Sequence, residues 1–293
     1  MEKIIVIIGP TGVGKTKMSV ELAKRLDAEI INADSMQIYK DLNIGTAKIT
    51  EEEKDGVVHH LFDIKNVDED YSIYDYQKDA RLKIDEIRSR GKNVIFVGGT
   101  GLYIKSALYD YKLNYEKNNV DYEEYSCEQL YEMLVKLDKD IIIDKNNKRR
   151  LIRAINYYNE NNKSISSNKT NELLYDTVFI GLTTDRDKLY DIINKRVDKM
   201  VDNGLIDEVK YFYDNSFYTK PIINGIGYKE LYKYFLGEIS LEESLDLIKK
   251  NSRHYAKRQY TFFNNQMNVK WFDVDFDNFV NTIDEVEKYI KNS

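Results

Sequence analysis

Cysteine, proline and histidine are scarce in this chain of 293 residues: it has one cysteine, two prolines and three histidines. The single Cys127 excludes an internal disulfide and fits a reducing compartment. No histidine stands at metal-ligand spacing from a cysteine, which argues against a zinc centre. His59-His60 has no third ligand partner in sequence and reads as a structural pair beside apolar neighbours. No apolar run approaches the roughly 18 residues needed to span a bilayer, so no membrane partner is expected. The apolar start ends at Gly9 without a basic flank or a small-residue cleavage site. It therefore reads as a core strand, and a cytoplasmic location is expected. A formal net charge of −6 excludes a uniformly basic nucleic-acid coat, though it permits a local basic groove. The shortage of proline beside abundant Tyr, Asn, Lys and Ile reads as drift in codon usage.

What is present suits a folded α/β protein. Hydrophobic residues make up 42% of the chain, enough for a sizeable core. Ile4–Ile8 predicts a buried strand, Lys15 to about Leu26 a helix, and Glu29–Asn32 a second strand. Ile73, Tyr76, Ala80, Ile84 and Ile87 recur at helical spacing between Ser72 and Arg90, and Asn93–Val97 predicts a third strand. This alternation, with glycine turns at strand ends, predicts a parallel sheet flanked by helices, of the P-loop NTPase type. From Tyr109 the texture changes. Residues 111–175 are expected to form a smaller, mainly helical insertion, with helices over Ser126–Leu137 and about Lys148–Asn159. Residues 1–110 and 176–293 are expected to form the core, with a strand at Thr177–Leu182 and little strand afterwards except Val269–Phe272.

Gly9-Pro10-Thr11-Gly12-Val13-Gly14-Lys15-Thr16 fits G-x-x-x-x-G-K-[ST] between a strand and a helix. Glycines let the backbone N–H groups converge on an anion, and the helix N-terminus adds a favourable dipole. Lys15 supplies a cation, and the Thr16 hydroxyl is placed to reach Mg2+. The pattern implies a site for a diphosphate or triphosphate, without saying what carries it. Asp34, in Asp34-Ser35-Met36-Gln37 after the second strand, reads either as a metal-shell ligand or general base, or as a simple helix cap. Gly98-Gly99-Thr100-Gly101 repeats the strand–turn–helix arrangement and offers Thr100 as a neutral hydrogen-bond donor; a tight connection without a ligand is the alternative. On a helix, Arg149, Arg150 and Arg153 share one face, with Leu151, Ala154 and Ile155 drawn to the other. A long C-terminal helix, opened by Ser240 and Glu243, carries a stripe of Leu241, Leu245, Ile248, Tyr255 and Gln259. Lys250, Arg253, His254 and Lys257 lie opposite, with Arg258, Tyr260, Phe262 and Phe263 just after. Basic stripes interleaved with aromatics suit a phosphate backbone and stacked bases, although either stripe alone is also what a solvated helix face looks like.

Taken together, these segments resemble the bacterial tRNA dimethylallyltransferase family. The resemblance rests on Gly9–Thr16, Asp34–Tyr39, Ile44–Lys48, His59–Leu61, Val97–Tyr103, Ile226–Leu231 and Ala256–Gln259, in family order across nearly the whole chain. It implies transfer of a dimethylallyl group from dimethylallyl diphosphate to N6 of an adenosine next to the tRNA anticodon, with Mg2+ as cofactor. By the same resemblance Asp34 takes the N6 proton, Gly9–Thr16 hold the donor with Lys15 as catalytic cation, and Thr100 lies near the leaving oxygen. The anticodon stem-loop is then contacted by Asp34, Ser35, Met36, Gln37, Thr100, Arg149, Arg150, Arg153, Gly227, Tyr228, Lys229, Lys257, Arg258 and Gln259. A monomer is expected. The chain departs from the family pattern at Asp138-Lys139-Asp140-Ile141-Ile142, at Arg149 in place of Gln, and at Phe262 in place of Trp. Two rival readings share the phosphate loop: a prenyltransferase of free adenine nucleotides and a small-molecule or nucleotide kinase. A non-enzymatic RNA-binding ATPase is the third, and it leaves Asp34 without a chemical role.

Overall fold

A computed structural model describes residues 3–111, 120–168 and 172–293. Residues 112–119 and 169–171, within the insertion expected at 111–175, lie outside the described residues. The chain divides into two units, Met1–Leu108 with Leu173–Ser293, and Tyr109–Glu172. The sequence expectation put the insertion at 111–175.

In the first unit the elements run β1 (Ile4–Ile8), α1 (Lys15–Arg25), β2 (Ala28–Asn32), α2 (Glu51–Lys54), β3 (His59–His60), α3 (Ile73–Ser89), β4 (Asn93–Val97) and α4 (Gly101–Leu108). The strands form one parallel sheet of order β3-β2-β4-β1-β5-β6, in which β5 is Thr177–Thr183 and β6 is Val269–Asp273. β1 sits between β4 and β5, with Ile4 opposite both Val94 and Thr177. All five of its residues are buried, which is why it reads as an unbroken apolar run without alternation. The chain starts in the middle of the sheet, builds one side, and then crosses to the other. The ends of β1, β2 and β4 therefore open side by side at one edge, where ligands of such sheets bind. Hydrogen bonds tie those ends together: Ala33 N to Val97 O at 2.8 Å, and Thr100 N to Ala33 O at 3.0 Å. β3 and α2 escaped the sequence reading because two and four residues are too few to show a period. His60 of β3 sits 2.6 Å from Glu29, which also binds Arg90 at 2.6 Å, so the histidine belongs to an ion-pair cluster at the sheet edge.

The second half of this unit adds helices between and after the last two strands. α5 (Cys127–Leu137) and α6 (Lys148–Asn161) of the second unit precede β5; α7 (Arg186–Asp202), α8 (Leu205–Asp214), α9 (Lys220–Asn224), α10 (Tyr228–Phe235) and α11 (Leu241–Gln266) separate β5 from β6, and α12 (Phe279–Asn292) follows. Ser240 and Glu243 do form the capping box that opens α11. The buried face of α11 differs from the expected stripe: Ser244, Ile248, Ala256, Gln259 and Phe263 are buried, Leu241, Leu245 and Tyr255 only half so, and the helix runs on through Arg258 and Phe263. Arg253 also leaves the expected basic stripe. Its guanidinium donates to Asn194 of α7 at 2.5 Å and lies over the Tyr190 ring, because α7 packs against that flank.

The second unit is a helix pair, α5 (Cys127–Leu137) and α6 (Lys148–Asn161). Leu130 and Leu134 of α5 pack with Leu151, Ala154 and Ile155 of α6 in a small core of their own. Ser126 and Gln129 make a capping box, and Asn147 caps α6 through the Arg150 N–H. Arg149, Arg150 and Arg153 are exposed on the opposite face.

The close joining of strand ends sets a steric limit at Gly98. A β-carbon there would fall 2.3 Å from the Ala33 carbonyl, which is backbone and has little room to yield. Gly98→Ala is expected to destabilise the protein by about 2 kcal/mol or more, at the upper range for overpacking. Denaturant unfolding of the two proteins measures it; equal midpoints would mean that the β2 and β4 ends are not tightly joined.

Candidate active site

The loop between β1 and α1 is shaped by three glycines with φ of 142°, 90° and 90°, at Gly9, Gly12 and Gly14. A β-carbon at Gly9 would also lie 2.5 Å from the Leu182 carbonyl, so glycine is required twice over. Thr11, Gly12, Gly14, Lys15 and Thr16 line a cavity of about 930 Å³ that opens at the strand ends. That is room for a small phosphorylated molecule together with a nucleobase. Val13 departs from the expected donor contacts: its side chain is fully buried in the core, leaving only its backbone at the loop. Lys15 folds back to donate to Pro10 O at 2.7 Å. Burial, then the neighbouring Arg196, pulls its pKa down to about 7, against a partial offset from Asp34.

Arg196 is the residue that sequence reasoning missed. It enters the same cavity from α7, and among the described residues its one hydrogen bond is a long one, to Thr46 O at 3.4 Å. Burial lowers its pKa as well, again with Asp34 opposing. The missed signal was an arginine three residues after Ile193 and one before Val197, on the apolar side of an amphipathic helix. Two cations thus share one wall with a single carboxylate, Asp34, as the counter-charge named for both. Such a wall calls for a multiply charged anion.

Asp34 is held by its neighbours. Asn32, buried at the end of β2, accepts from Asp34 N at 2.9 Å and donates to Asp34 O at 3.1 Å. Asp34 Oδ1 accepts from Met36 N at 3.0 Å in a local turn; residues 35–40 form turns and a bridge rather than a helix, so the helix cap offered as one reading does not form. Among the described residues its other oxygen carries no hydrogen bond, so the turn leaves Oδ2 available to a ligand. The Thr16 hydroxyl is likewise without a hydrogen-bond partner among the described residues. A cleft hydroxyl and a carboxylate oxygen are suitable donors for Mg2+ when substrate phosphates complete the shell, so the residues fit that ion. Among the described residues no group of three or more His, Cys, Asp or Glu is placed to hold a metal without such help.

Thr100 was expected near a leaving oxygen; the structure ties its hydroxyl to the Asp34–Ser35 segment instead. It accepts from Ser35 N at 3.0 Å and lies 3.3 Å from Ser35 Oγ. The adjacent glycines serve packing: α11 lies directly on them. Gln259 donates to Gly99 O at 3.1 Å, and a β-carbon at Gly101 would sit 2.2 Å from the Phe262 ring. Phe262, where the family pattern has Trp, therefore packs on this turn. Tyr255 lines the cavity and donates to Gly99 O at 3.4 Å, with the Arg258 guanidinium over its ring. Burial, then Asp34, raises its pKa, so its hydroxyl stays protonated.

Of the other expected contacts, Ser35, Met36, Gln37, Gly227, Lys229, Arg258 and Gln259 line the cavity, while Lys257 is exposed beside it in sequence. Tyr228 does not fit the expectation of a surface contact. Its ring is fully buried and its hydroxyl donates to Glu208 at 2.6 Å, because α10 packs its first turn against the 43–45 loop. Arg149, Arg150 and Arg153 belong to the second unit and form no part of this cavity.

The sheet, the phosphate loop and the two-cation wall define a P-loop-type protein built to hold a phosphorylated small molecule. The profile of the IPP transferase family matches residues 37–266, and the chain belongs to that family. The tRNA dimethylallyltransferase of Anoxybacillus flavithermus is 49% identical over 300 residues, covering 99% of this chain and 96% of its own. That of Bacillus licheniformis is 51% identical over 284 residues, covering 92% and 90%. The crystal structure of the full-length tRNA isopentenylpyrophosphate transferase from Bacillus halodurans matches with a TM-score of 0.77 at 45% identity, over 100% of this chain and 96% of that one. A eukaryotic dimethylallyltransferase captured acting on tRNA matches at 0.88 and 28% identity, over 100% and 80%.

The depressed Lys15 pKa makes anion binding depend on pH. Only the charged ammonium attracts a diphosphate, and that form is lost as pH rises through about 7 in the free protein. Affinity for inorganic diphosphate should therefore fall by up to about tenfold per pH unit above that point, relative to Lys15→Met, which has nothing to titrate. Calorimetric titration of both proteins from pH 6 to pH 9 measures it; parallel profiles would place the titrating group elsewhere.

Proposed function

We propose that this protein transfers a dimethylallyl group from dimethylallyl diphosphate to N6 of an adenosine next to the tRNA anticodon, releasing diphosphate. The observation that carries the reading is the wall of Lys15 and Arg196 beside the phosphate loop, with the Asp34 carboxylate in the same cavity. The relatives named tRNA dimethylallyltransferase support the same reading.

The donor's diphosphate lies in the loop of residues 9–16, against Lys15, Arg196 and the backbone N–H groups at the start of α1. When the allylic C1–O bond breaks, the electron pair leaves on the diphosphate. The charge that develops there is stabilised by groups already in place, which is where such a site lowers the barrier most. A bound Mg2+, held by Thr16 and phosphate oxygens, would supply further charge neutralisation on the departing group. The adenine N6 lone pair is conjugated with its ring and is a poor nucleophile. Asp34, through the oxygen not engaged by Met36, accepts the N6 proton as the new C–N bond forms. Thr100 acts through Ser35, keeping the Asp34 segment in place. The base leaves its stack to reach this depth. Met36, Gln37, Gly227, Lys229, Lys257 and Arg258 then lie about the cavity as contacts for the RNA, and the exposed arginines of α6 bind its phosphates. One chain supplies every group named here, and a monomer is the proposed working form. Among the described residues no helix is long and apolar enough to cross a membrane, and the proposed place of action is the cytoplasm with its tRNA pool.

Incubation with labelled dimethylallyl diphosphate and unmodified tRNA, followed by digestion, tests the reading directly: prenylated adenosine is expected, and label confined to diphosphate or to free nucleotides overturns it. Asp34→Ala should keep the fold and donor binding while lowering single-turnover rates by roughly two to four orders of magnitude, the scale of a general base. A near-wild-type rate with tRNA bound would remove Asp34 from that role. Neutralising Arg149, Arg150 and Arg153 together should weaken tRNA binding and flatten its salt dependence, by about one counterion for each lost phosphate contact. Diphosphate affinity should stay as it is. The same salt slope in wild type and triple variant would leave the three arginines as a solvated face.

A further inference from the structure

The loop after Asp34–Gln37 is anchored by an unusual arrangement. Three consecutive backbone N–H groups, Asn43, Ile44 and Gly45, donate to the carboxylate of Glu208 at 3.0, 2.7 and 2.9 Å. Tyr228 O–H adds a fourth bond to the same carboxylate at 2.6 Å. Successive N–H groups of this kind form an anion nest, and here the protein fills it with its own side chain. Glu208 stands in the first turn of α8, where a carboxylate also meets the favourable end of the helix dipole. Tyr228 stays protonated, since burial and then Glu208 raise its pKa, so it remains a donor. Glycine at position 45 completes the fit, because a β-carbon there would lie 2.7 Å from the Tyr228 ring.

The other side of the same loop faces the cavity. Gly45, Thr46 and Ala47 line it, and Thr46 O accepts from Arg196 at 3.4 Å and from Gln37 Nε2 at 3.1 Å. Glu208 does not itself line the cavity; its carboxylate meets the lining through Gly45 of this loop. Among the described residues Arg196, by contrast, has no carboxylate bonded to it, and the Thr46 carbonyl is its one hydrogen-bond acceptor. Where the guanidinium stands therefore depends on where the loop stands.

We propose that Glu208 is a positioning residue for the donor site: by binding the 43–45 loop and Tyr228 together, it fixes the Thr46 carbonyl that holds Arg196 toward the diphosphate. This rests on the reading of the phosphate loop as the donor's site. Glu208→Gln leaves the shape but replaces one acceptor oxygen by an N–H2 that faces N–H donors. Tyr228→Phe removes a single hydroxyl.

The test is calorimetric binding of inorganic diphosphate, which needs neither tRNA nor turnover. Glu208→Gln should raise Kd by about tenfold and Tyr228→Phe by a few-fold, in the range expected for loss of buried, charge-assisted hydrogen bonds. In an Arg196→Met background Glu208→Gln should have little further effect, because the residue acts through the arginine. A lower binding stoichiometry with unchanged Kd marks a purely structural role and overturns the proposal, as does full additivity with Arg196→Met. Should Glu208→Gln not fold, Tyr228→Phe decides alone, and an unchanged Kd in that variant overturns it. The wild-type protein separates the two levels. Diphosphate binding without prenylation of tRNA would defeat the proposed reaction and leave the role of Glu208 to be judged on Kd. Absence of diphosphate binding in the wild type would defeat both.

Discussion

Lys15 and Arg196 share one wall of a cavity, and Asp34 is the carboxylate whose charge reaches both. Holding two cations together and partly out of water is unfavourable, and the fold accepts that cost by packing α7 and the phosphate loop rigidly around them. A ligand with several negative charges removes the conflict, which is why the site suits the proposed diphosphate donor. In the proposed reaction the same charges face the group that leaves and act most strongly as the allylic bond breaks. Asp34 takes part twice, as the counter-charge to both cations and, in the proposed reaction, as the acceptor of the nucleophile's proton.

The second constraint is how closely the ends of β2 and β4 meet. Gly98 permits contact with the Ala33 backbone, and Thr100 then binds Ser35. α11 closes this junction from outside through Gln259 on Gly99 and Phe262 on Gly101. Asn32, pinned by Tyr76 at 2.9 Å through its carbonyl, fixes the backbone of Asp34. The Asp34 segment is thus oriented by a chain of packed groups running from the sheet's interior.

The net charge of −6 and the binding of a polyanion are compatible because the positive charge is local. The arginines of α6 stand on a helix whose other face has its own small core, so that unit presents cations without placing them in the sheet domain. In α11 the basic residues divide: Lys257 stays exposed, Arg258 turns to the cavity, and Arg253 is taken up by Asn194 and Tyr190. A charge stripe on one helix therefore serves three different ends.

The sequence by itself determined the elements whose signals are local. The β-branched run of β1, the glycine pattern of the phosphate loop, the capping boxes of α3, α5 and α11, and the two-faced pattern of α6 are set by neighbours within a few residues. The family motifs likewise lie in contiguous stretches, so the parallel sheet and the loop with Asp34 were legible. Tertiary structure alone decided which side chains at those motifs face the cavity. It buried Val13 and Tyr228, tied Thr100 to Ser35, drew Arg253 into a helix contact, and brought in Arg196 and Glu208 from helices more than 140 residues beyond Lys15. Those outcomes depend on how distant elements pack, and a helix period cannot tell a buried cation facing a ligand from one facing water.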